Sequence, residues 1–335
     1  MGLRKFLQQA VEEIAETADE FLESLEGDVA PSKEPPEPVH KKVLSICFDP
    51  QVPAHGNRKL SRVLRWNDVH KLMEQYIEDV REVSYGYANY SIVEHLEVDG
   101  FPVKIDGFAY DANSFLKAWQ AKKGFHDPDA VDYHRILRDY DIIPQVNAGR
   151  IDEVWLWGFP YAGYYESIMA GPGAFWCNAP ALEGTEAAKR RFIIMGYNYQ
   201  RGVGEMLENL GHRAESILRH VYRDKKGKAN LWKRFAQYDK THPGQAEVGL
   251  MHFAPNSLKD YDWGNQTKVK SRADDWLNFP NLTGNFRVMD CSDWGDGDTR
   301  LHHKWWYARL PHVTGTTGHI SNNWWEYIID PNRVS

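Results

Sequence analysis

The chain has 335 residues, of which 42% are hydrophobic and 26% charged, and its formal net charge is −7. That is an ordinary globular composition, and its mild acidity argues against nucleic acid or anionic lipid, which need a basic face. Cys47, Cys177 and Cys291 form no CxxC pair and no disulfide framework, and no apolar run reaches the roughly 20 residues of a membrane span.

Residues 3–26 read as one amphipathic helix, with Phe6, Leu7, Ala10, Val11, Ile14 and Ala18 at three- and four-residue steps. Glu12, Glu13, Glu16 and Asp19 interrupt it, so no signal-peptide core forms. A cytoplasmic location is expected, with signal-less export open. Ala30 to Pro38 is proline-rich, which excludes helix and sheet and predicts a stiff linker. The organisation is therefore a helix over 1–27, a linker over 28–41 and a single domain over 42–335. Few contacts should cross the linker, so residues 1–40 are expected to be removable. The helix should bury its stripe against a protein partner, a second copy or its own domain.

The domain opens on a buried strand, 42–48, followed by a helix over 66–83 capped near Asn67 or Asp68. A strand over 90–98, a helix over 112–121 and strands over 151–158 and 191–198 follow, and then a long helix over 202–222. Strands alternating with helices predict an α/β fold with a mainly parallel sheet covered on both faces. Beyond residue 245 helix signals fade, and loops and short strands rich in Trp are expected to pack on the same core and rim a cleft.

Ligands of open α/β sheets bind beyond the carboxyl ends of the strands. The loop after residue 158 carries Tyr165 and Glu166 there. No phosphate loop or GxGxxG is present, so no nucleotide cofactor is expected. On the 202–222 helix, Glu205, Glu208, His212 and Glu215 fall within an arc of about 80°. Such a stripe could hold a divalent metal, zinc or similar, through His212 and Glu208. Alternatively, repulsion among the carboxylates could lift one of them toward neutrality as a general acid. Gly211 in mid-helix costs about 1 kcal/mol against Ala and suggests a close approach there.

Residues 208–212 resemble in part the HExGH helix of zinc metallopeptidases. Glu208 stands in place of the first zinc histidine and Asn209 in place of the catalytic glutamate, so membership is not assigned. His252, in an apolar run ended by a turn, is the candidate second metal ligand or general base. Trp305-Trp306 and Asn323-Trp324-Trp325 are read as strand pairs, one member of each exposed to stack on a sugar. No Gly-x-Ser-x-Gly elbow occurs, and Cys177 is a remote nucleophile candidate.

Two functions are carried forward. The first is a hydrolase, metal-dependent or not, acting on a glycan or peptide-like polymer. Glu208, His212, Glu215 and Glu166 would be catalytic, and Tyr165, Trp305, Trp306, Trp324 and Asn323 would bind substrate. The second is a non-catalytic carbohydrate-binding protein or delivered effector that docks through its N-terminal helix.

Overall fold

The computed structural model describes residues 28–335 except residue 33, so the helix expected over 1–27 lies outside the described residues. Its centre is a five-stranded sheet of β1 (Val39–Phe48), β2 (Ala88–Val98), β3 (Glu153–Gly158), β4 (Ser167–Ala170) and β5 (Phe192–Asn198). The order is β2-β1-β3-β5-β4, parallel throughout except for β4, which runs antiparallel along β5. All six residues of β3 are buried, as a parallel strand with both faces covered requires. The four parallel strands are those expected from the sequence. The fifth, β4, sits in the segment read as a loop; four apolar or small residues give too short a run to stand out.

Four helices lie on one face: α1 (Val69–Val83), α3 (Val203–Val221), α4 (Thr299–Tyr307) and α5 (Trp325–Ile329). Helix α2 (Ala112–Ala121) instead anchors the loops beyond the strand ends, with Phe115 against Phe159. Asp68 starts α1 by accepting from the backbone N–H of His70 and Lys71, which satisfies two of the donors a helix start leaves free. Tyr76 of α1 then packs edge-on against Trp155 and Tyr197. On the opposite face, Phe48 meets Tyr140, which ends the short helix Tyr133–Asp139. Among the described residues no helix is long and apolar enough to cross a membrane.

Two expectations are corrected here. The segment after residue 245 contains a true helix, α4, capped by Asp298 accepting from Leu301 N. Both Trp305 and Trp306 are buried because a helix enclosed on several sides can hide adjacent residues, which a strand with one covered face cannot. Trp305 packs on Trp294, and Trp306 on Trp232 and Phe235. The linker, moreover, is not free of contacts. Asp28 accepts from Gly318 N at 2.7 Å and His319 N at 2.8 Å, and Ser32 N donates to Thr314 Oγ1 at 2.7 Å. These tie residues 28–32 to the hairpin of His312–Thr317 and Ile320–Asn323. Strand β1 begins at Val39, inside the segment read as linker.

Candidate metal centre

The centre is built on α3, which follows β5, on the face turned to Glu166 before β4 and to the loop that carries His252. Glu205 accepts from Gly202 N at 3.1 Å. One member of the expected acidic stripe is thus a helix cap. A Cβ on Gly204 would lie 3.0 Å from the Arg300 backbone nitrogen and from Thr299 Cγ2. This glycine therefore lets the start of α4 lie directly on α3, and its carbonyl meets His303 Nδ1 at 3.0 Å.

Arg213, fully buried, turns toward the sheet and donates from Nη1 to Glu153 Oε2 at 2.8 Å. With Arg213 facing the strands, His212 faces the loop that carries His252. Gly249, at φ +93°, opens that loop, where a Cβ would lie 2.1 Å from Phe253 O, so only glycine fits. Leu250 and Phe253 then exchange backbone hydrogen bonds of 2.9 and 3.0 Å, which leaves Met251 and His252 at the tip of a tight turn. Met251 lies against Gly211, where a Cβ would come within 2.7 Å of its Cγ. The mid-helix glycine thus does admit a close neighbour, a methionine side chain.

Glu208, His212 and His252 form a group that could hold a metal ion. His212 Nε2 and His252 Nε2 are 2.9 Å apart, His252 Nε2 and Glu208 Oε1 are 2.8 Å apart, and His212 Nε2 and Glu208 Oε1 are 3.8 Å apart. Tetrahedral donors on bonds of about 2.0–2.2 Å would stand roughly 3.4 Å apart. The outward nitrogens are held by carboxylates. His212 Nδ1 lies 3.3 Å from Glu215 Oε2, and His252 Nδ1 lies 3.1 Å from Asp260 Oδ1. Glu215 is itself fixed, accepting from Met251 N at 2.7 Å. Carboxylates beside both Nδ1 atoms orient the rings with both Nε2 atoms inward, as the carboxylate partners of metal-binding histidines do.

Tyr261 donates to Glu208 Oε1 at 3.1 Å. Glu166 Oε2 lies 4.0 Å from His212 Nε2 and accepts from Asn178 Nδ2 at 2.5 Å. The cluster borders two hollows of about 270 and 620 Å³ that share Arg201, Gly202 and Glu205. Glu166 lines the first, and Glu208 and Tyr261 line the second.

The electrostatics correct the general-acid expectation. Burial alone would raise the Glu208 carboxyl, but hydrogen bonds to the His212 and His252 rings hold it well below the usual carboxylate range. Burial alone would depress His212, yet Glu208, Glu215 and Glu166 push it up to about 10. For Tyr261, burial and the Glu208 charge push the phenol up to about 12, so it remains a hydrogen-bond donor. Crowding has therefore fixed a carboxylate among proton-rich rings; it has not made Glu208 a neutral acid.

Of the other residues singled out, Tyr165 is exposed beside Glu166 in the chain, but Trp306, Trp324 and Asn323 are fully buried and Trp305 nearly so. They belong to the core, with Trp324 packed on Phe235 and Trp276. Cys177 is buried, and burial pushes its thiol up to about 11, which leaves no nucleophilic thiolate. The sequence reading missed Asp260 and Tyr261, whose signal was an acidic and aromatic run eight and nine residues after His252. It also missed Arg213, Glu153 and His303.

Comparison with protein-family models, with curated proteins and with solved structures finds no match.

His303 yields a pH prediction. Its Nε2 is buried with no hydrogen-bond partner, and burial pulls the ring down to about 4. Its neighbour His302, also fully buried, is held well below the ordinary value by burial and by His303. The unfolded chain therefore binds more protons than the fold between pH 6.5 and 4, and stability is lost as pH falls through that window. His303 alone accounts for on the order of 3 kcal/mol. Denaturant midpoints should fall steeply from pH 7 to 4, and His303→Asn, which can still donate to the Gly204 carbonyl, should flatten the slope. An unchanged slope would show that another group governs acid lability.

Proposed function

We propose that this protein is a metal-dependent hydrolase acting on a peptide-like or glycan polymer laid across the cleft beside Glu208, His212 and His252. The observation that carries the reading is the pair of inward Nε2 atoms 2.9 Å apart, each ring backed by its own carboxylate. Without a metal a proton bridges the two nitrogens, and a metal cation would take that proton's place between them. Zinc suits the nitrogen and oxygen donor set, and three protein ligands leave a position for water or substrate. A bound zinc ion would supply Lewis acidity, acidifying a water and polarising the scissile group.

The chain supplies the remainder. Glu166, beside the cluster but outside the donor set, accepts the proton of the attacking water. Tyr261, still protonated and donating to Glu208 in the structure, would turn that one donor to the oxygen on which charge develops. Glu215 and Asp260 keep the rings in the required tautomer. The hollows on either side give room for polymer on both sides of the scissile bond. The buried Trp305, Trp306, Trp324 and Trp325 lend the carbohydrate-binding alternative no support.

The test is elemental analysis of protein purified without chelator, followed by hydrolysis assays on peptide and polysaccharide panels. One zinc per chain is expected. Glu166→Gln should lower kcat by roughly 10²–10⁴-fold, the usual contribution of a general base, with metal content unchanged. A metal-free protein, or full activity in Glu166→Gln, defeats the reading.

A further inference from the structure

A second cavity, of about 640 Å³, lies beyond the carboxyl end of α3. Glu208 sits near the start of that helix and Val221 at its end, so the two sites are separated by about 20 Å of helix. Lys225, Lys228 and Lys233 stand on its rim, and Leu231, Phe279 and Leu282 supply apolar walls. The volume is that of a small-molecule pocket.

The charges here are unbalanced. Glu247 is the pocket's only carboxylate, and it is buried and already occupied. It takes Arg234 at 2.9 Å and Arg272 at 3.8 Å on Oε1, and Trp276 Nε1 at 2.9 Å on Oε2. One carboxylate offsets one of the two arginine charges, so the cluster stays net positive, and Arg234 also lies over the Trp276 ring. The three lysines form no ion pair among the described residues. In a chain of net charge −7, three unpaired cations around one concavity repel each other until an anion joins them. The apolar side is equally ordered, with Leu231 and Phe279 nearly buried and Phe279 stacked on Trp276 at 5.9 Å. A long polyanion would need a basic stripe across the surface, whereas these lysines gather around one open-mouthed concavity.

We propose that this cavity binds an amphiphilic anion, a carboxylate or phosphate head on an apolar body. The head sits among Lys225, Lys228 and Lys233 and the body lies against Leu231 and Phe279. The site is independent of the metal centre and needs no metal.

Isothermal titration of the full chain with 2-naphthoate, its uncharged amide and acetate tests both halves of the claim. Saturable one-to-one binding of 2-naphthoate is expected. The amide, acetate and the Lys228→Glu, Lys233→Glu double variant should each bind at least about tenfold more weakly, the scale of one charge-assisted contact. Both lysines are solvent-facing, so circular dichroism of the variant should match the parent. Equal binding of the amide would reduce the site to a greasy hollow, and equal binding of acetate to a plain anion site. Unchanged affinity in the double variant would place the ligand elsewhere. Any of these, or no binding at all, overturns the proposal.

Discussion

Replacing His252 with alanine is expected to abolish stoichiometric zinc binding and, with it, hydrolytic activity, while the thermal transition of the metal-free protein moves little. His252 sits at the tip of a turn and is part-exposed, so its truncation opens no core cavity. Three donor atoms converge at the centre among the described residues, and losing one leaves two, fewer than a zinc site needs. Asp260→Asn should act less severely, weakening metal affinity by roughly 10–100-fold, because it loosens a ring without deleting a ligand. Glu208→Gln should also lose the metal. Its effect on the metal-free fold runs opposite to that of a strained acid. A carboxyl held below its ordinary value stabilises the fold above about pH 4.3, and that contribution is lost as pH falls. The glutamine variant should thus be less stable than the parent at neutral pH. Metal affinity itself should rise with pH, because the proton that His212 holds up to about 10 must leave before zinc binds. Competition titrations with a chromogenic chelator at several pH values read all of these, and a His252→Ala protein with full metal content would refute the assignment of ligands.

How much of this could be read in the sequence depended on where the chemistry is encoded. Apolar runs gave β1, β3 and β5 to within two or three residues, because a doubly covered strand has few polar positions to blur its edges, and the half-exposed edge strand β2 was placed to within two residues. The span of α3 and the shared face of Glu208, His212 and Glu215 followed from helical period alone. His252 was placed as a second ligand from the turn that bounds its apolar run. The divergence began where a residue's role depends on what lies opposite. Glu205 belongs to the stripe by angle but is drawn back to the helix start by Gly202 N. The His302-His303 and Trp305-Trp306 pairs resemble strand sequence, and only the enclosure of α4 by α3 and the aromatic cluster makes a helix of them. Asp260 and Tyr261 arrive from a loop of no regular period, so their approach to His252 and Glu208 was invisible. The basic cavity, likewise, is assembled from four short segments spread over almost a hundred residues.

Arg213→Met is expected to cost about 3–5 kcal/mol, the usual penalty for removing one partner of a buried ion pair. Both charges are buried: Arg213 is fully inaccessible and Glu153 2% exposed. Glu153 also accepts from Trp155 Nε1 at 2.9 Å and Tyr90 OH at 3.4 Å, so Arg213 is the cation of a buried network. Left without Arg213, Glu153 is a buried carboxylate with no cation, at the first residue of β3, the central strand of the sheet. The loss should therefore exceed what the missing side-chain volume explains. A paired Glu153→Gln, Arg213→Met variant separates the two contributions: with no stranded charge it should recover much of the stability lost by the single change. The pair also sets the rotation of α3. Arg213 faces the sheet, its neighbour His212 is turned by about 100° toward His252, and loosening the first frees the second. The double variant should thus regain stability yet keep a weakened metal affinity. Denaturant unfolding of the three variants and the parent, alongside their zinc titrations, checks both points. A single Arg213→Met change costing less than about 1 kcal/mol, the value of an exposed pair, would show that the bridge neither holds the fold nor aims the histidine.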